Sequence, residues 1–487
     1  MSNIIFIHTD SMDGRLAGYM GHPAMADATP NIDSLAERGT TFTRCYSNNP
    51  ICCPSRASML SGTFTHHCEG WNNFKGLEED RTLFDHLDHA GYDVVRYGKE
   101  DYLSGSHSVR ARVTPWLGPA GVMRPSYNEP APTVDETQEK RVSTGDWSRV
   151  DQAVETIQGR GGAGDAPLFL YVGLNQPHPV FRTSRYYLDR IPEELIDLPE
   201  AEESVHPVQR FQQVHKAWRH GFSKDMVKLV RWVYMAMISE VDEMVGTILS
   251  ALNDSSIADD TIVVFSSDHG EMAMEHRQFY KMNFYEPSAR VPLVFSGPGV
   301  SKGRRLEALT SLVDLYPTFA ELVGAPTPQS PIGIPLDGES LVPELRGEAG
   351  SRRDWVLSEF HGTTSPTSGF MLRHGAWKYV AWDGFAPQLF SPDSDPAECR
   401  DYAADHPEVV AELDKKLRTV VDYPAVARRV QAYDKEAFAS WRQEHIEAGD
   451  YRELMSRIYS GYDHPEALTI SPWTDADEFA VETWLSQ

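Results

Sequence analysis

Cys52-Cys53-Pro54-Ser55-Arg56 places a thiol close in sequence to a guanidinium. Pro54 suits the first turn of a helix, where a missing N–H costs nothing, and Ser55 to Leu60 continues without a breaker. A helix N-terminus offers free N–H groups and a partial positive charge to an anion. Polar residues end four other segments. Ile4-Ile5-Phe6-Ile7 leads to Asp10, and Val94-Val95-Arg96-Tyr97 leads to Lys99. Leu168 to Val172 leads to His178, and Thr261 to Phe265 leads to Asp268 and His269. Hard divalent cations favour oxygen ligands, so two carboxylates and an imidazole meeting on one rim predict a metal site. One Asp or His alone is more often a cap or a hydrogen-bonded core residue. The prediction comes from their convergence.

Short apolar runs alternate with helix-like stretches, which predicts an α/β fold with a large, mostly parallel sheet flanked by helices. Ligands of such sheets bind outside the carboxyl ends of the strands, where all four polar positions would lie. Met226 to Leu252 has apolar residues at helical spacing and reads as a long packing helix. The pattern divides the chain into an α/β catalytic unit over 1–345, a small antiparallel-sheet subdomain over 346–425 and an irregular extension over 426–487.

The 487 residues are 41% hydrophobic and 24% charged, ordinary values for a globular protein. The formal net charge of −26 argues against nucleic acid and anionic membranes as partners. It also requires a local cluster of cations wherever an anion binds. No apolar run approaches the ~20 residues of a membrane span. No signal peptide is evident, and five cysteines are too few for a disulfide scaffold, which places the chain in the cytoplasm. A homo-oligomer is compatible with this composition.

The Cys-x-Pro-Ser-Arg element resembles the signature at which sulfatases of the alkaline phosphatase superfamily have a cysteine oxidised to formylglycine. Proline two places on and arginine four places on select Cys52, not Cys53. Pro50 to Arg56, Trp71-Asn72-Asn73-Phe74-Lys75-Gly76 and Asp268-His269-Gly270 through His276 to Lys281 are similar to arylsulfatase K-type enzymes, which act on 2-O-sulfated glucuronate. The resemblance covers roughly residues 3–425. It implies a formylglycine-generating enzyme for maturation. It also implies a hydrated aldehyde at position 52 that attacks the sulfur of a small-molecule or saccharide sulfate ester, in two covalent steps.

Residue by residue, the resemblance implies that Asp10, Asp268, His269 and the modified Cys52 hold a divalent cation, Ca²⁺ first and Mg²⁺ or Mn²⁺ as alternatives. Arg56 would hold the formylglycine hydrate and Lys99 would contact the sulfate. His178 and Lys281 would contact the ester oxygen, one of them protonating the leaving group. Asn73, Lys75 and His107 are candidate substrate contacts, with Lys75 or Arg110 pairing a sugar carboxylate. Two positions depart from the usual pattern. Ser11 follows Asp10 where many sulfatases have a second aspartate, and Asp101 stands where many have a histidine. The competing readings are a phosphonate monoester or phosphodiester hydrolase of the same superfamily, and a non-catalytic anion-binding protein.

Overall fold

The computed structural model describes the chain except residues 1, 79–80, 105–129, 163, 201, 203, 217, 219–220, 327–328, 349–351, 363–364, 457–472 and 487. The main sheet runs Arg304–Leu306, Thr40–Phe42, Leu293–Ser296, Thr261–Ser267, Asn3–Asp10, Leu168–Pro177, Asp93–Gly98. The last four strands are parallel neighbours, with Ile4 opposite both Phe169 and Ile262, and Val94 opposite Phe169. Leu293–Ser296 is antiparallel to its neighbours, so the sheet is parallel at its centre and mixed toward one edge.

The period-2 alternation of a strand sorts its side chains between two helical layers. Ile5, Ile7, Leu170 and Val172 pack with Val150 of the Thr144–Gln158 helix and Val233, Ile238 and Val241 of the Lys224–Asn253 helix. Ile4, Phe6, Phe169 and Tyr171 pack on the other face with Leu60, Leu315 and Phe319. The Lys224–Asn253 helix starts where the Ser223 hydroxyl accepts the Met226 N–H.

A second sheet follows, Trp355–Phe360, Gly369–His374, Trp377–Trp382 and Gln388–Phe390, antiparallel throughout. One face packs on Leu413 and Leu417 of the Pro407–Val420 helix, and the other on Tyr46, Ile51 and Phe284. The small sheet thus braces the segment just before Cys52. Among the described residues of the stretch expected to be irregular there are three helices, Tyr423–Ala448, Tyr451–Ser456 and Asp475–Ser486. Its sparse apolar residues, Phe438, Tyr451, Met455, Trp473, Val481 and Trp484, meet in one small core, and charged residues between them hide the period. Among the described residues no helix is long and apolar enough to cross a membrane.

Candidate active site and metal centre

The four parallel strands deliver their polar ends to one rim. Asp10 closes the Asn3–Asp10 strand, Lys99 follows Gly98, His178 follows Pro177, and Asp268 and His269 follow Ser267. Lys99 can lie close against its neighbour because both Gly98 and Gly173 lack a Cβ. A Cβ at Gly173 would stand 2.2 Å from the Lys99 carbonyl oxygen, and Gly98 sits at φ +91°.

Cys52 opens the Cys52–Ser61 helix, which ends at Gly62 with φ +71°. Every residue of that helix is buried, so its sequence carries little amphipathic pattern. Asn73 holds its first turn in place, its Oδ1 accepting the Cys53 N–H at 3.1 Å. Ser47 and Ser55 both donate to the Asp268 carbonyl oxygen, at 2.6 and 2.5 Å.

Donor atoms of Asp10, Cys52, Asp268 and His269 all lie within 4.8 Å of one another, and all four residues are buried. His269 Nδ1 donates to the Gly270 carbonyl at 3.0 Å, because a carbonyl can only accept. Its Nε2 therefore faces the cluster with a lone pair, 3.2 Å from Cys52 Sγ, 3.6 Å from Asp10 Oδ1 and 3.5 Å from Asp268 Oδ1. Two carboxylates, a correctly tautomerised imidazole and a fourth donor fit a hard divalent cation.

Cations surround this cluster. Arg56 is fully buried, with Nε 2.8 Å from Asp268 Oδ2. Its Nη1 donates to the Tyr171 hydroxyl at 2.7 Å and the Lys99 carbonyl at 2.9 Å, and Nη2 to the Thr9 carbonyl at 3.3 Å. Lys99 pairs with Asp10 and lies 3.5 Å from Asp101. Lys281 Nζ is 2.7 Å from His178 Nε2. Burial opposes the charge on Asp10, yet Lys99, with Lys281 behind it, holds its carboxyl well below the usual carboxylate range. Burial likewise opposes the charge on Lys281, but Cys52 and Asp10 raise its pKa overall. Burial, then Lys281, pushes His178 down to about 3, so its imidazole is neutral at pH 7. Burial, reinforced by Asp10, pushes the Cys52 thiol up to about 11. An unmodified Cys52 is therefore a protonated thiol and a poor nucleophile at neutral pH.

The structure thus brings together Asp10, Cys52, Arg56, Lys99, His178, Asp268, His269 and Lys281. Asn73 lies against the Cys52 helix. Lys75 turns toward Glu78, its ammonium 5.5 Å from the centre of the Tyr433 ring. His107 and Arg110 lie outside the described residues. Asp13 does not replace a second aspartate at the cluster, for Arg15 takes its carboxylate at 2.7 Å. Sequence reasoning missed Tyr171, whose hydroxyl links Arg56 to the Lys99 carbonyl. Tyr171 sits within a buried strand and reads there as core.

A sheet with this rim and this set of donors defines an alkaline phosphatase-type hydrolase of anionic esters. The chain belongs to the sulfatase family: the family model "Sulfatase" matches residues 2–325, and "N-sulphoglucosamine sulphohydrolase, C-terminal" matches 274–422. It is therefore a sulfuric ester hydrolase. It is 42% identical to arylsulfatase K of Gallus gallus, over 100% of this chain and 93% of that one. Its fold is similar to phosphonate monoester hydrolase of Agrobacterium radiobacter, with TM-score 0.68, 24% identity, and 86% and 95% of the two chains covered. It is also similar to a 2-O GAG sulfatase, with TM-score 0.66, 22% identity, and 90% and 94% covered.

The cytoplasmic placement does not hold, because the arylsulfatase K relatives are lysosomal or endoplasmic-reticulum sulfatases. The five cysteines, all free, carry no information about compartment.

Proposed function

We propose that this sulfatase works through a formylglycine at position 52 and a divalent cation, Ca²⁺ in the first instance, on a 2-O-sulfated uronate. The observation that carries the reading is the meeting of Cys52 with Asp10, Asp268 and His269 under three cationic side chains, the buried Arg56 and Lys281 and the partly buried Lys99. Those cations answer the difficulty posed by a net charge of −26, since they reverse the field where a sulfate must bind.

When bound, the cation supplies Lewis acidity and the formylglycine hydrate supplies an oxygen nucleophile. Arg56 and its partners Tyr171 and Thr9 fix the Asp268 carboxylate and the start of the Cys52 helix. Lys99 lies beside Asp10, where its ammonium meets sulfate oxygens as charge builds on them. Lys281 and His178 act on the ester oxygen. His178 Nδ1 is 2.5 Å from the Pro179 carbonyl and must donate to it, so Nε2 accepts from Lys281. In this arrangement the ammonium of Lys281 holds the proton, and His178 orients it. Lys281 is thereby the general acid that protonates the leaving alcohol. The uronate assignment rests on the likeness of Trp71 to Gly76 and of Asp268 to Lys281 to arylsulfatase K-type enzymes.

The test is a substrate panel at matched concentrations: 2-O-sulfated glucuronate, 6-O-sulfated glucosamine, nitrophenyl sulfate and a nitrophenyl phosphodiester. The reading expects the uronate to be preferred at least about tenfold in kcat/KM, about 1.4 kcal/mol of transition-state discrimination. A uniform response to the sulfates removes the uronate assignment. Preference for the phosphodiester removes the sulfatase mechanism proposed for this site.

A further inference from the structure

We infer that Ser11 is a positioning residue whose hydroxyl sets how tightly the chain holds its divalent cation. The inference rests on the reading of Asp10, Asp268 and His269 as cation ligands. Ser11 is fully buried and touches all three. Its Oγ donates to Asp10 Oδ1 at 3.0 Å and lies 3.4 Å from His269 Nδ1, and its N–H donates to Asp268 Oδ1 at 3.2 Å.

The backbone at Ser11 marks the position as constrained. Its φ of +66° lies in the left-handed region, which a serine adopts only when its surroundings over-determine it. They do so here. The Tyr234 hydroxyl, from the long Lys224–Asn253 helix, donates to the Ser11 carbonyl at 2.6 Å. On the following residue, the Met12 N–H donates to Ser267 Oγ at 2.9 Å. The strained turn is held from two sides, and its result is a hydroxyl aimed at Asp10.

The chemistry of the hydroxyl fits an outer, orienting role. His269 keeps its proton on Nδ1, toward Gly270 and Ser11, and turns Nε2 to the donor cluster. Ser11 thus stands behind the imidazole and beside Asp10 Oδ1, while Lys99 pairs with Asp10 Oδ2. Fixing the orientation of ligands before a cation arrives lowers the reorganisation that binding demands, and loss of such partners typically weakens metal affinity about 10- to 100-fold. A second aspartate at this position would add charge to the ligand set. A serine adds orientation without charge, and that suits a site already balanced by Arg56, Lys99 and Lys281.

The experiment is calorimetric Ca²⁺ titration of metal-stripped, mature wild type, Ser11→Ala and Ser11→Gly, with thermal melts of each before and after Ca²⁺ addition. Both variants should bind Ca²⁺ about 10- to 100-fold more weakly than wild type. Metal-free Ser11→Gly should melt no lower than wild type, because glycine adopts φ > 0 without strain. Weak binding by Ser11→Gly then cannot be blamed on a damaged fold. Ca²⁺ affinities within about twofold of wild type for Ser11→Gly would overturn the role of the hydroxyl while leaving the cation site intact. Wild type that binds no Ca²⁺, Mg²⁺ or Mn²⁺ would overturn the cation reading and this inference with it.

Discussion

Lys281 Nζ lies 2.7 Å from His178 Nε2, while His178 Nδ1 is committed to the Pro179 carbonyl at 2.5 Å. The pair therefore carries its mobile proton on the lysine. Lys281→Ala should lose about 10²–10⁴-fold in turnover of an alkyl sulfate, the usual worth of a general acid. Turnover of nitrophenyl sulfate, whose phenolate leaves unaided, should fall far less. His178→Ala should show the same selectivity more weakly. The measurement is kcat/KM for the two substrates with each variant, and equal losses on both substrates would remove the assignment.

Inside the site Arg56 pairs with Asp268 and also reaches the Tyr171 hydroxyl, the carbonyls of Lys99 and Thr9, and His8 Nδ1. Arg56→Met leaves Asp268 with a buried, unpaired carboxylate, which should lower stability by about 3–5 kcal/mol. Added Ca²⁺ should restore part of that loss, as a second positive partner for Asp268. Denaturant melts with and without Ca²⁺ check this, and unchanged stability in the metal-free variant would contradict it.

Glu240, within the long helix, gives a pH-dependent prediction away from the site. Its Oε1 accepts from the Ser143 N–H at 2.8 Å and Trp147 Nε1 at 2.9 Å, while Oε2 has no hydrogen-bond partner among the described residues. Burial pushes its pKa up to about 7, so the folded state holds a proton that the unfolded state releases near 4.5. Folding is then favoured most below pH 4.5, and this advantage is lost as pH rises toward 7. The Tm of wild type should fall across that window, by an amount on the order of 3 kcal/mol in stability. Glu240→Gln keeps the acceptor and removes the charge. It should raise Tm at pH 8 and change it little at pH 4.5, and a fall at pH 8 would contradict the account.

Much of the site can be read from the chain because parallel strands send their last residues to one edge. Asp10, Lys99, His178 and Asp268 each follow a short apolar run, and the Cys52 motif opens a helix as Pro54 predicts. What escapes is whatever depends on contact between distant segments. Tyr171 reads as core until Arg56 is seen against its hydroxyl. Ser11 reads as a missing aspartate until its φ and its three contacts are known. The helices after residue 422 escape because their apolar residues are spread over three segments that meet only in the fold. Lys75 falls beside Glu78 and Tyr433 because the Trp71–Gly76 stretch doubles back, Asn72 pairing with Lys75.

Register in the Cys52 motif allows a direct contrast. Cys52 Sγ faces Asp10 at 3.8 Å and His269 at 3.2 Å, whereas Cys53 Sγ points to the Leu103 carbonyl at 3.8 Å. Cys52→Ala should abolish turnover, and Cys53→Ala should keep much of it. An inactive Cys53→Ala beside an active Cys52→Ala would place the nucleophile one residue away.

The central claim is that oxidised Cys52 is the nucleophile, and peptide mass spectrometry across residues 45–62 tests it most directly. Protein matured with a formylglycine-generating enzyme should yield a Cys52 peptide whose mass matches replacement of CH₂SH by CHO, in proportion to the sulfate-releasing activity of each preparation. A fully active preparation in which Cys52 remains a thiol would contradict the claim.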